Sequence, residues 1–174
     1  MQKEYIETDR LILRKFRKDD AFFMYVNWAS DPEVTKFLTF PPHKNVEVTQ
    51  MIIDRWLKEY EKEETARFCI TIKGKDEPVG GIDVVNLFNG IPEIGYVLSR
   101  KYWGNGYMTE ACKALVSYLF ELGYHKICIC ANVDNIGSNR VIQKCGFTLS
   151  KQFTKEIKGI NQLINCYYLD KVVK

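Results

Sequence analysis

No apolar run in this chain approaches the roughly 20 residues that a membrane helix needs, so no membrane partner is expected. Dense Lys/Arg runs are also lacking, and a net charge of +3 is slight for 174 residues. A nucleic-acid partner is therefore not expected either. Histidine is scarce, with His43 and His125 only, and no C-x-x-C occurs. The six cysteines (Cys69, Cys112, Cys128, Cys130, Cys145 and Cys166) each lie inside an apolar run rather than in a loop. They read as reduced core thiols of a reducing compartment, with no metal site. The opening MQKEYIETDR is charged and has no apolar signal region, so the expected location is cytoplasmic. Internal repeats, linkers and low-complexity tracts are absent, and a hydrophobic fraction of 46% argues against disorder. One domain over residues 1–174 is expected.

What is present changes period along the chain. RLILRKF (Arg10 to Phe16) reads as a first strand, and KDDAFFMYVNWASD as a helix with early acids at its positive end, broken at Asp31-Pro32. A second helix is expected from about Val46 to Tyr60, with Asn45 as cap and Met51, Arg55/Trp56 and Tyr60 at helical spacing. RFCITIK, VGGIDVVN and EIGYVLS then read as three strands joined by the turns GKDEP and LFNGIP, which implies antiparallel hairpins. Met108, Ala111/Cys112, Leu115, Leu119 and Leu122 form the apolar stripe of a further helix, closed by Gly123. KICICANV is a strand, Ser138 to Cys145 a short helix, and TLSKQFTK and NQLINCYYLD two last strands. This order predicts an α+β fold: one mixed, mostly antiparallel sheet of about seven strands, with a central parallel pair and helices on both faces.

Between the strand from Glu93 and the helix at Met108 stands YWGNGYMTEA, where Gly104 and Gly106 are wedged among aromatics. Glycine lets an anion approach the backbone, and a helix start supplies free N–H groups and a positive dipole end. A plain strand-to-helix turn explains the same spacing. A Walker loop is excluded because G-x-x-x-x-G-K-[ST] is absent, and a Rossmann fingerprint because Thr109 stands at the third glycine and the preceding strands are hairpin-linked. The other polar corner is VDNIGSNRVIQKCGF, where Asn135 and Ser138 open the helix after the parallel partner strand.

Taken together, ETDRLILRKFRKDDA, EIGYVLSRKYWGNGYMTEA and NVDNIGSNRVIQKCGF resemble the GNAT N-acetyltransferase superfamily, closest to the branch of ribosomal-protein N-terminal acetyltransferases. The resemblance covers nearly the whole chain, and the element order matches. It implies acetyl-CoA as co-substrate without a metal, and an amine acceptor, with a ribosomal or other protein N-terminus as the expected partner of a monomer or homodimer. The loop Gly104, Asn105, Gly106, Tyr107, Met108 and Thr109 would wrap the pyrophosphate. The family loop is [QR]-x-x-G-x-[GA]; here Trp103 stands first and Met108 last, which puts a larger side chain near the loop. The pantetheine arm would lie between splayed parallel strands, paired with Leu98 and Arg100 and contacted by Asn135, with the Leu98 N–H at the thioester oxygen.

Of the residues that could protonate the departing thiolate, the resemblance favours Ser138, with Tyr96, Tyr102 and Tyr107 as rivals. Some members carry a basic glutamate on the strand that here reads KICICANV; Cys130 occupies that position. Glu93, acting through water, and Glu156, beyond Gly146-Phe147, are the remaining candidates for the base. Direct attack by a bound amine needs no acyl-enzyme, so Cys130 is not expected to be a nucleophile. Trp28, Phe37, Phe40 and Trp56 lie in the segment expected to shape the acceptor pocket, mostly as core. A catalytically silent acyl-CoA-binding module, a GNAT acting on a small-molecule amine, and a nucleotide-binding domain without coenzyme A are the competing readings.

Overall fold

In the computed structural model, which describes residues 3–62 and 66–172, eight strands alternate with five α-helices. The strands are β1 (Tyr5–Glu7), β2 (Leu11–Arg14), β3 (Arg67–Ile72), β4 (Pro78–Phe88), β5 (Ile91–Leu98), β6 (Lys126–Asn132), β7 (Thr148–Ile157) and β8 (Ile160–Asp170). They form one sheet in the order β1-β2-β3-β4-β5-β6-β8-β7. Every neighbour pair is antiparallel except β5 with β6. The strand beyond the expected seven is β1, an edge segment of three residues, too short to show a period.

Two hairpins are longer than the residue pattern suggests. Asn89 and Gly90 have φ of 51° and 77°, and Lys158 and Gly159 have 53° and 76°. Two successive left-handed residues match the right-handed twist of the strands and close a hairpin in two positions. Hence only Asn89-Gly90 turns within LFNGIP, and β4 runs on to Phe88.

Alternation on β3 explains the layers. Phe68 and Ile70 join a core with Leu11, Leu13, Leu115 and Ile142, whereas Cys69 joins Phe16, Met24, Trp28 and Ile53 on the other face. The first face is covered by α4 (Tyr107–Glu121) and α5 (Ile136–Lys144). The second is covered by α1 (Ala21–Met24), which continues as a π-helical turn over Tyr25–Ala29, by α2 (Pro32–Thr35) and by α3 (Val46–Glu59). Asn45 caps α3 by accepting from the Val48 N–H at 3.1 Å. The buried face of α3 carries Thr49 and Ile53, and Met51 is 72% exposed. The stripe is thus turned away from the expected Met51.

Before α1, Asp20 accepts from the Arg17 N–H at 2.7 Å at the start of a 3₁₀ turn, Lys18–Asp20. It also takes both terminal nitrogens of the Arg14 guanidinium at 2.8 Å in a buried pair. Removing either partner there would leave a buried charge, at a cost of about 3–5 kcal/mol.

The parallel pair positions the site. β6 is registered against β8 along its whole length, from Lys126 opposite Asp170 to Asn132 opposite Ile164. Against β5 it is registered only where Glu93 faces Cys128. Beyond that point the two strands diverge. The loop leading into α4 leaves the end of β5, and the corner leading into α5 leaves the end of β6.

Candidate active site

Gly104 and Gly106 both have φ of 77°, a left-handed conformation that costs L-residues about 1–2 kcal/mol. A Cβ on Gly104 would meet nothing within 4 Å, so packing does not require glycine there. Gly106 is the N-cap of α4 and supplies no side-chain acceptor. The first-turn amides of Tyr107, Met108 and Thr109 therefore have no partner within the helix. Met108 is only 6% exposed and packs into the core beneath α4. Its bulk turns inward, and the mouth of the loop keeps the openness that a small residue would give.

The loop is braced from behind. The Asn105 amide donates to the carbonyls of Tyr102 (3.2 Å) and Trp103 (3.1 Å). Arg10 Nη1 donates to the Asn105 carbonyl at 2.8 Å, and the guanidinium lies 4.5 Å from the Tyr107 ring centroid. Arg10 Nε also meets Glu110 Oε2 at 2.7 Å. The other Glu110 oxygen accepts from the Thr8 hydroxyl at 2.6 Å and the Arg10 amide at 2.8 Å. Burial works against this carboxylate, but the Thr8 and Arg10 donors outweigh it and hold its pKa below the ordinary value. Nothing in the spacing of the sequence marks Arg10 or Glu110 as part of the site. They meet only because β2 and α4 pack.

At the end of β5, the Ser99 N–H donates to the Val79 carbonyl at 2.8 Å. Strand alternation then turns the amide and carbonyl of Leu98 to the opposite edge, toward β6. That carbonyl accepts from the Trp103 indole at 2.8 Å, leaving the Leu98 N–H as the group facing the gap. Arg100 opens a 3₁₀ turn, Arg100–Tyr102, instead of extending the strand. Its carbonyl takes the Trp103 N–H at 3.2 Å, and its guanidinium pairs with Asp31 at 3.1 Å.

Across the gap, Asn135 caps α5 by accepting from the Ser138 N–H at 3.2 Å. This leaves its NH₂ group as the available donor. The corner is pinned by buried Asn139, which sequence reasoning passes over. Its NH₂ donates to the carbonyls of Asn132 (2.9 Å) and Asn135 (2.8 Å), and its oxygen accepts from Tyr167 (2.7 Å) and Asn165 (2.9 Å). Ser138 lies on the same face as Tyr96, and their hydroxyl oxygens are 2.9 Å apart. Tyr102 and Tyr107 instead stack edge-on against each other in the loop, with ring centroids 6.3 Å apart.

Glu93 sits opposite Cys128. Its alternation along β5 matches Val97, which packs against the α1–α3 core, while Ile94 and Tyr96 belong to the α4–α5 side. Glu93 and Ser138 are therefore on opposite faces of the sheet. Glu156 lies exposed on the β7–β8 hairpin, opposite Asn161. This hairpin extends beyond the end of β6, and Lys158 at its tip donates to the α2 carbonyls of Thr35 (3.0 Å) and Lys36 (3.2 Å).

Trp28 is core at 1% exposure, and Trp56 packs on Phe16 and the Arg67 guanidinium. All six cysteines are free thiols. Burial foremost, then neighbouring Glu93, pushes the Cys130 thiol far up, which opposes a nucleophilic role. A hollow of about 740 Å³ lined by Arg14, Arg17, Lys75 and Asp76 lies at β1–β3, away from the gap. The Arg14 guanidinium there is engaged by Asp20 and Asp76. Among the described residues, no group of three or more His, Cys, Asp or Glu gathers to hold a metal ion, and no helix is long and apolar enough to cross a membrane.

Known proteins share this fold. The sequence profile of the acetyltransferase (GNAT) domain matches residues 10–148. The uncharacterized N-acetyltransferase p20 of Bacillus licheniformis is 33% identical over 171 residues, 94% of this chain and 93% of its own. A GNAT-family acetyltransferase structure from Bacillus anthracis superposes with a TM-score of 0.83 at 26% identity, covering 95% of this chain and 98% of that one. RimL, a ribosomal L7/L12 α-N-protein acetyltransferase solved with coenzyme A, shares the fold with a TM-score of 0.84 at 20% identity, covering 96% and 98%. With a donor-lined glycine loop, a divergent parallel strand pair and these relatives, the chain belongs to the GNAT acetyltransferase family and is an N-acetyltransferase.

Proposed function

We propose that the protein transfers the acetyl group of acetyl-CoA to the α-amine of a protein or peptide N-terminus, by direct attack in a ternary complex. The observation that carries this reading is the divergence of β5 and β6 beyond Glu93, with Ser138 on one face of the sheet and Glu93 on the other. A thioester in such a gap has its sulfur on the α4–α5 side and receives an amine from the α1–α3 side.

Acetyl-CoA fits the residues present. The left-handed Gly104 and Gly106 and the first-turn amides of α4, from Tyr107 to Thr109, suit its pyrophosphate. The Asn135 NH₂ and the Leu98 edge suit the amides of its arm. The co-substrate supplies an activated acyl carbon with a thiolate leaving group. The Leu98 N–H would stabilise the carbonyl oxygen as it gains charge. The nitrogen lone pair forms the new C–N bond, the C–S bond breaks with its electron pair on sulfur, and the proton that nitrogen loses balances the one that sulfur gains. Glu93, or Glu156 from the hairpin, receives the amine proton through water. Ser138 delivers the proton to sulfur and regains one from solvent, to which the glutamate releases the amine proton, so that no group is left changed.

The α-amine is favoured by acid–base arithmetic. At pH 7.5 roughly a third of an α-amine is neutral, against about one part in a thousand of a lysine side chain, a difference of about 3 kcal/mol. With Cys130 where a strand glutamate would stand, no strong base offsets it. RimL, which shares the fold, carries an α-N-protein acetyltransferase name, and this supports the same acceptor class. The test is competition at pH 7.5 between a peptide with a free N-terminus and blocked lysine, and its counterpart with a blocked N-terminus and free lysine. Mass spectrometry locates the acetyl group. Faster acetylation of lysine refutes the acceptor assignment, and binding of acetyl-CoA without transfer to any amine makes the protein an acyl-CoA-binding module.

A further inference from the structure

A serine hydroxyl has one hydrogen and two lone pairs. Ser138 can give a proton to sulfur only if that hydrogen is not already committed elsewhere. Tyr96 decides this, because its hydroxyl is 2.9 Å from Ser138 Oγ and 3.3 Å from the Ser138 carbonyl oxygen. Two arrangements satisfy these distances. In one, the phenol donates to Ser138 Oγ, and the serine hydrogen is free to point into the gap. In the other, the serine donates to the phenol oxygen, the phenol donates to the carbonyl, and Ser138 has nothing to offer a ligand.

Two observations select the first, and a third keeps the phenol protonated. The hydroxyl is the nearer acceptor. A phenol is the more acidic of the two hydroxyls and so the better donor. Burial, foremost, pushes the Tyr96 pKa up, so the phenol keeps its hydrogen. The ionisable groups that act on it, Cys112 on α4, Cys145 after α5 and Tyr167 on β8, bring no positive charge to favour a phenolate. The Ser138 amide is also settled, being held by Asn135.

We propose that Tyr96 is a positioning residue for the transfer step: its phenol donates to Ser138 Oγ and thereby aims the single serine hydrogen at the sulfur of the departing coenzyme A. This role rests on the acetyl-CoA reading above. The phenol does not itself hand over a proton. It occupies one serine lone pair, fixes the rotation of the hydroxyl, and stabilises the oxygen as its hydrogen moves to sulfur.

The experiment compares Tyr96→Phe, Ser138→Ala and the double variant. Tyr96→Phe keeps the ring in the core and removes only the oxygen, and a melting temperature near that of the parent verifies the fold. The expected result is a kcat about tenfold lower in Tyr96→Phe, the worth of one hydrogen bond, with the KM for acetyl-CoA little changed. Ser138→Ala should lose about 10²-fold, and adding Tyr96→Phe to it should lose nothing more. The second readout needs no acceptor: ultraviolet absorbance follows ionisation of the bound coenzyme A thiol against pH. Its pKa should rise in both single variants and rise no further in the double.

An unchanged or higher kcat in Tyr96→Phe overturns the proposal, because it means the serine had been donating to the tyrosine. Losses that multiply in the double variant also overturn it, because the two residues then act separately. If coenzyme A fails to bind the parent, both the acetyl-CoA reading and this role fall. If it binds but no amine is acetylated, the acceptor reading falls alone, and the thiol titration decides the role of Tyr96.

Discussion

Arg10 offers the sharpest test of whether the glycine loop is a prearranged anion site. Arg10→Met keeps an apolar stem against the Tyr107 ring and removes the guanidinium. Besides the cation contact with the Tyr107 ring, two polar interactions go with it: the 2.8 Å bond to the Asn105 carbonyl and the 2.7 Å pair with Glu110. The Arg10 side chain is 46% exposed, so solvent screens both, and the pair with Glu110 is worth about 0.5 kcal/mol. The charge-assisted bond to a carbonyl adds about 1 kcal/mol in a half-exposed setting. The sum, about 1–2 kcal/mol, is the energy that holds the Asn105 carbonyl back and leaves the loop amides facing outward. If the loop must be reordered on binding, the coenzyme A dissociation constant should rise about 5- to 30-fold. Calorimetric titration of parent and variant measures it. Acetyl-pantetheine lacks the pyrophosphate, and its KM should be the same in both proteins. A coenzyme A affinity unchanged within about twofold would show that the loop holds its shape without Arg10 and would refute its role as a brace.

Gly106→Glu should abolish measurable coenzyme A binding, because an L-residue is strained at φ 77° and its Cβ would meet the Arg10 guanidinium at 3.4 Å, drawing the brace away from the Asn105 carbonyl; retained affinity would make the loop merely structural. Acid pH should also loosen the loop. The Glu110 carboxyl is held below its ordinary value of 4.5, so its contribution is present above that pH and is lost as pH falls through the lower, folded-state value. Melting temperature recorded against pH in parent and Glu110→Gln should differ near neutrality and converge in acid. A constant difference at every pH would contradict this.

The order of strands and helices was legible because it rests on local period and punctuation. The runs of β3, β5 and β6, the α4 stripe from Met108 to Leu119 and the Asn45 cap stand where the residues put them, whereas Leu122 lies past the end of α4 and is 47% exposed, and α5 starts at Ile136, two residues before the expected Ser138. The glycine loop was legible as a possible anion site, and the family resemblance turned that possibility into a definite expectation. The rest was hidden because it arises from packing between distant segments. Arg10 reaches Asn105 across 95 positions, and Tyr96 meets Ser138 across 42. The inward turn of Met108, by contrast, follows from its place on the apolar stripe of α4. The divergence of β5 from β6 leaves no mark in either strand, since the residues on both sides of the Glu93–Cys128 register point mix apolar and polar types alike.

That divergence has a consequence for the cohesion of the molecule. A sheet normally exposes unpaired backbone groups only at its two outer rims, where other chains can add to it. Here a second pair of rims lies inside the sheet, between β5 and β6. A thin chain with its own amide groups can bridge the two halves. Such a ligand would act as a missing rung of the sheet, and the rigidity of the protein would then depend on how much of it the surroundings supply.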